Sequence, residues 1–169
     1  NDTPSIFQRQ IDFIQKTGIV TAMVGLLQAP TGTKLYERLK KEGRLLGRMT
    51  GDNADGSTNI IPNNMDAETC REGYKTILRH IYSPENYYKR IMTLFKEYKS
   101  PTIKGTIKFE HIVGLFNSIY HLGIFGKERV QFWRLLLWTS LHRRDLFPLA
   151  VTLAVYGYHF RRISELHVL

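Results

Sequence analysis

Ile19-Val20-Thr21-Ala22-Met23-Val24-Gly25-Leu26-Leu27 is the stretch on which the reading of the fold turns. It is almost continuously apolar, β-branched at its start and uncharged. That pattern predicts a strand buried on both faces, the mark of a parallel sheet. Before it, Thr3-Pro4 reads as N-cap and first helical position of a helix over 5–17, with Gly18 at its C-terminal end. After it, Ala29-Pro30-Thr31-Gly32-Thr33 makes a turn, and a short helix follows over 34–42, supported by Leu35, Leu39 and Gly43. The first 47 residues therefore read helix, strand, helix, a piece of an alternating α/β fold. One buried strand needs a partner on each edge, and nothing later in the chain matches it. The expectation is a fragment of a larger sheet.

Beyond this piece the pattern changes. Residues 48–65 are rich in Gly, Asn, Asp, Ser and Pro and read as a long polar loop. Residues 66–169 read as helical throughout. Asp66 caps a helix to about Ile81, and Ser83-Pro84-Glu85 starts another to about Tyr98. Lys99 to Gly105 forms a basic Pro/Gly linker. A helix over 108–122 carries Phe109, Ile112, Val113, Phe116, Ile119 and Tyr120 on one stripe. The next, over 127–142, is expected to turn Val130, Trp133, Leu137 and Leu141 inward. In the last, over 145–165, Leu149 to Tyr156 is apolar nearly all round, which predicts the most buried helix. The fold class is mainly α (α+β): a short α/β piece, then a helical bundle.

The chain has 169 residues, 43% of them hydrophobic, and a net charge of +9. Residues 1–65 carry eight Lys/Arg and six Asp/Glu, for +2; residues 66–169 carry sixteen and nine, for +7. The helical half thus holds the basic surplus, which attracts polyanions or acidic lipid surfaces. Apolar helices ending in Arg143-Arg144 and Arg161-Arg162 suit peripheral contact with an acidic membrane. The least polar run, Leu146 to Tyr158, is about 13 residues and too short to span a bilayer. Tyr87, Tyr88, Lys89 and Arg90 mix aromatics and bases as single-strand binders do. Helical spacing explains them more cheaply, with aromatics on the core face and bases on the solvated one, so nucleic acid is not the expected partner.

Catalytic motifs are not found. Cys70 is the single cysteine, so no internal disulfide, Cys-rich zinc site or iron–sulfur cluster can form from this chain alone. A reducing cytoplasm is the expected compartment. The histidines, at 80, 111, 121, 142, 159 and 167, have no second ligand at metal-binding spacing. Asp52-Asn53-Ala54-Asp55-Gly56 fails as a calcium loop, because Gly51 and Pro62 fall where Asp and Glu are required. No glycine-rich phosphate loop is present. The start, Asn1-Asp2-Thr3-Pro4, lacks an initiator Met, a basic cluster and an apolar run, and reads as cut from a longer chain.

Two runs carry a family resemblance. The stretch from Phe7 to Ile19, followed by Met23 to Leu39 with Pro30-Thr31-Gly32-Thr33-Lys34-Leu35-Tyr36, resembles the end of the radical SAM core in the cobalamin-binding radical SAM family. There, the last strand of a partial (β/α) barrel is followed by Pro-x-Gly-Thr-x-Leu-Tyr. Asn59-Ile60-Ile61-Pro62 and Tyr82-Ser83-Pro84-Glu85-Asn86-Tyr87-Tyr88-Lys89-Arg90 resemble a helical C-terminal domain of unknown function carried by some members. The resemblance implies that residues 1–47 are the last barrel element, 48–65 a loop and 66–169 a helical accessory domain. It implies a parent enzyme of a class that includes methyltransferases, with upstream radical SAM and cobalamin-binding domains as partners. That parent would use a 4Fe-4S cluster, S-adenosylmethionine and cobalamin, while this region carries no catalytic residue, metal ligand or cofactor of its own. Leu27 and Gln28, at the end of the strand, would lie near the S-adenosylmethionine. The competing reading is a basic helical module for an acidic membrane surface or RNA.

Overall fold

The computed structural model describes residues 2–52, 55–99 and 109–167. Seven α-helices are described: α1 (Ser5–Thr17), α2 (Lys34–Lys41), α3 (Ala67–Ile81), α4 (Pro84–Glu97), α5 (Phe109–Ser118), α6 (Arg129–His142) and α7 (Phe147–His167). The mainly helical class is as expected, and α1 ends and α3 starts beside the expected Gly18 and Asp66. Gly18 stands just past α1 at φ 71°, a left-handed conformation that a residue with a Cβ rarely adopts. The Thr33 hydroxyl accepts from the Tyr36 amide (3.2 Å) at the start of α2. Asp66 Oδ1 accepts from the Thr69 amide (2.6 Å), and that bond holds the Asp66 carboxyl below its usual range. The basic linker expected at 99–105 lies, apart from Lys99, outside the described residues.

The chain divides into two compact units. The first comprises Asn1–Phe13, Ala22–Ile81 and Ile163–Leu169. Its core is formed by Ile11, Ala29, Leu39, Tyr74, Ile77, Leu78 and Ile81. The second comprises Ile14–Thr21 and Tyr82–Arg162. Here the core is built from α4, α6 and α7, around Tyr87, Ile91, Phe95, Phe132, Leu135, Ala150 and Ala154.

The structure corrects the sequence reading at five places. The strand expected over 19–27 has no partner: among the described residues the β-type pairing is an isolated antiparallel bridge between Leu45 and Ile60. The backbone there is irregular, with bends at Val20 and Thr21, and no second strand supplies a ladder among the described residues. The helix expected to reach residue 122 stays α-helical only to Ser118. It then widens into a π-helical turn, Ile119–Ile124, whose Gly123 carbonyl accepts from Trp133 Nε1 (3.0 Å).

On α6 the inward face is the opposite of the expected one. Val130, Trp133, Leu137 and Leu141 are exposed, while Phe132, Leu135, Leu136 and Thr139 are buried. Both faces are apolar enough to be core. The buried Thr139 hydroxyl donates to the Leu135 carbonyl (2.8 Å) in its own helix, which removes the penalty of burying it.

The middle of α7 is buried on one side only: Ala150, Leu153 and Ala154 face inward and Val155 and Tyr156 outward. Its small residues admit the Tyr87 ring of α4. A Cβ on Gly157 would run into that ring, whose hydroxyl donates to the Leu153 carbonyl (2.8 Å). The fifth correction is Arg90, a base expected on a solvated face. It is fully buried.

Candidate functional site

Over residues 22–27 burial alternates from one residue to the next, the period of a pleated strand, although no strand forms there. Ala22, Val24 and Leu26 are half-buried; Met23 is 95% and Leu27 68% exposed. The segment therefore has one covered face where the sequence predicted two.

Its C-terminal end is held by side chains. The Thr58 hydroxyl donates to the Leu27 carbonyl (2.7 Å). The buried Asn59 amide accepts from the Ala29 N–H (2.7 Å) and donates to the Ala29 carbonyl (3.0 Å), the two bonds a neighbouring strand would supply. Gln28 turns the other way, into the polar loop. Its Nε2 donates toward the Thr50 hydroxyl (3.1 Å), the Asp52 carbonyl (3.0 Å) and the Ser57 hydroxyl (3.2 Å). Its Oε1 accepts from the Thr50 amide (3.0 Å). One buried amide thus gathers both limbs of the loop. Gln28→Ala is expected to cost about 1–2 kcal/mol by stranding these groups. Limited proteolysis should show faster cleavage within 48–58, and an unchanged cleavage rate there would sink this role for Gln28.

A cavity of about 530 Å³ lies inside the first unit, beneath this segment. Phe7, Val24, Leu26, Leu35, Leu39 and Tyr74 give it apolar walls, and Arg38, Glu42 and Arg44 supply its charge. Arg44 is engaged, donating to the Ile61 carbonyl (2.7 Å) and to Glu42 (2.9 Å). Cys70 also lines the cavity, and burial pushes its thiol up, which keeps it protonated and a poor nucleophile at neutral pH. This chemistry suits an apolar ligand or an apolar element of another domain better than proton or acyl transfer.

In the second unit a groove of about 670 Å³ runs between α4 and α6, with Tyr88, Met92, Leu135 and Trp138 as walls and Lys89, Lys96 and Arg134 as its bases. The Tyr88 hydroxyl is buried without a hydrogen-bond partner, and burial raises its pKa. Tyr87 and Tyr88 are both buried, so neither offers a stacking face.

The residues present do not fit an iron–sulfur cluster, which takes several thiolates where this chain has one. Among the described residues no group of three His, Cys, Asp or Glu side chains could hold a metal ion. Of the two residues expected near S-adenosylmethionine, Leu27 presents an exposed side chain and Gln28 has its amide committed to the loop. Asn59 was missed as a tie to the apolar segment. Its position as an amide before Ile60-Ile61 was the available signal.

No described helix is long and apolar enough to cross a membrane, and no solved structure matches the chain. Two curated relatives do. An uncharacterized methyltransferase of Synechocystis is 28% identical over 162 residues, covering 94% of this chain and 30% of the relative. The hopanoid C-2 methylase of Rhodopseudomonas palustris is 28% identical over 163 residues, covering 91% of this chain and 29% of that protein. The chain therefore spans less than a third of the length of either. Residues 33–168 match the model of a domain of unknown function, DUF4070, as the runs at Asn59–Pro62 and Tyr82–Arg90 led us to expect, and the chain belongs to that family.

Proposed function

We propose that this chain is the C-terminal accessory region of a cobalamin-dependent radical SAM methyltransferase and is non-catalytic in isolation. The observation that carries the reading is the apolar segment 22–29. Over 22–27 its burial alternates to leave one covered face, no strand lies beside it among the described residues, and the Pro30-Thr31-Gly32-Thr33-Lys34-Leu35-Tyr36 signature follows directly. In this reading residues 1–47 complete a barrel whose other strands belong to upstream domains, and 66–169 cover the barrel mouth or shape substrate or partner binding.

Active sites of such barrels lie at the C-terminal ends of strands. Leu27 would then face the S-adenosylmethionine side, with Gln28 acting through the loop it holds. The cluster, S-adenosylmethionine and cobalamin would be held upstream in the cytoplasmic parent. The names of the two relatives, a methyltransferase and a methylase, support the reaction class.

The test uses the full-length chain, purified without oxygen and reconstituted with iron and sulfide. The expected result is about four irons per chain, lost when an upstream cysteine triad is replaced. Amide exchange should also be slow at residues 21–27 in that protein. No iron, or fast exchange at 21–27 in the full-length chain, would overturn the reading.

A further inference from the structure

The outward faces of α5 and α6 share a composition that water does not favour. On α5 and the π-helical turn after it, Phe109 (78% exposed), Phe116 and Tyr120 stand in solvent. On α6, Trp133, Leu137 and Leu141 (73% exposed) form a stripe on the side opposite the core. The two elements are joined where Trp133 donates to the Gly123 carbonyl. A helix of 10 residues is marginal in water without burial of an apolar face. Ser118 is the one residue of α5 that is buried. Such a helix calls for a cover.

The charges around it say what kind. From Lys127 to Arg144 every exposed ionisable side chain is basic: Lys127, Arg129, Arg134, His142 and Arg144. The one acid in that span, Glu128, is buried against Arg161. No ion pair among the described residues uses Arg129, Arg134 or Arg144. Large apolar side chains, with Trp133 and Tyr120 among them, beside the exposed Arg129, Arg134 and Arg144, with no exposed anion on α6, match the requirements of a helix lying in an acidic lipid interface. We propose that the α5–α6 face docks on the surface of an anionic bilayer, placing the enzyme at the membrane without crossing it. This goes beyond the accessory-region reading and does not rest on it.

Flotation of the full-length chain with vesicles of phosphatidylcholine and phosphatidylglycerol tests it. Binding is expected to rise with phosphatidylglycerol content and fall with salt. The double variant Leu137→Glu/Leu141→Glu should lower the bound fraction at least about tenfold. Arg129→Glu/Arg134→Glu should weaken binding and flatten its salt dependence. Lys40→Glu, a charge reversal on α2, should leave binding within about twofold. Melting temperature and oligomeric state are measured for each variant. Four outcomes would overturn the proposal: no binding by the unaltered chain; binding untouched by Leu137→Glu/Leu141→Glu; a melting temperature lowered by that variant, meaning the rest of the chain covers the face; or a dimer that it dissolves, meaning a second copy does.

Discussion

Replacing Arg90 with methionine is expected to destabilise the second unit by about 2–3 kcal/mol, and replacing it with alanine by roughly 1 kcal/mol more. The guanidinium is fully buried in α4. Its Nε donates to the Ile19 carbonyl (3.0 Å), Nη1 to Gln15 Oε1 (2.9 Å) and Nη2 to the Val20 carbonyl (3.4 Å). The Tyr87 ring lies 5.4 Å from the guanidinium carbon. These acceptors belong to the C-terminal end of α1 and the residues after it, where carbonyls lack helical partners and the helix end is partly negative.

Burial pulls the Arg90 pKa down to about 10, so the group is still protonated at neutral pH, but its lost hydration offsets part of what the three bonds contribute. Methionine keeps much of the volume and strands the carbonyls; alanine also leaves a hole. Both tryptophans, Trp133 and Trp138, lie in this unit, so urea unfolding followed by their fluorescence reads the loss directly. A cost below about 1 kcal/mol for Arg90→Ala would show that the buried fork does not hold α1.

Arg90 also shows where the sequence stops being readable. Local chemistry was legible: Asp66 and Gly18 bound helices at short range, and each did so at the expected place. Burial of an individual side chain depends on residues far along the chain. Arg90 follows the buried Tyr87 at i+3, and its partners lie about 70 positions earlier. The faces of α6 could not be ordered from spacing, because Phe132 and Leu136 compete with Trp133 and Leu137 on equal terms. At 19–27 the expected strand does not form; an apolar run can be read locally, but the pairing that would make it a strand is encoded by no local pattern. Gln28 was singled out for its position at the end of that segment. The loop residues it gathers, from Thr50 to Ser57, were not foreseeable from spacing.

Breaking the Arg161–Glu128 pair should have the largest effect of any single substitution in the chain. Arg161 Nη2 and Glu128 Oε2 are 2.7 Å apart, with side chains 10% and 3% exposed. Glu128 sits at the N-cap of α6, and its backbone carbonyl accepts from the Phe132 amide (2.8 Å). Its carboxylate thus gains from the positive helix end as well as from Arg161. Its second oxygen, Oε1, is buried without a partner. Arg161→Met would leave that carboxylate with no cation, at an expected cost of about 3–5 kcal/mol. Glu128→Gln should cost less, about 2 kcal/mol, because the amide oxygen can still accept the Arg161 hydrogen bond. The double variant Glu128→Leu/Arg161→Met removes both charges together and is expected to recover to within about 1 kcal/mol of the unaltered chain. Urea unfolding of the unaltered chain, Glu128→Leu, Arg161→Met and the double variant closes the cycle. If the double variant is as unstable as Arg161→Met alone, the cost is lost packing around α7 and not a stranded charge, and the ion pair is not what joins the start of α6 to α7.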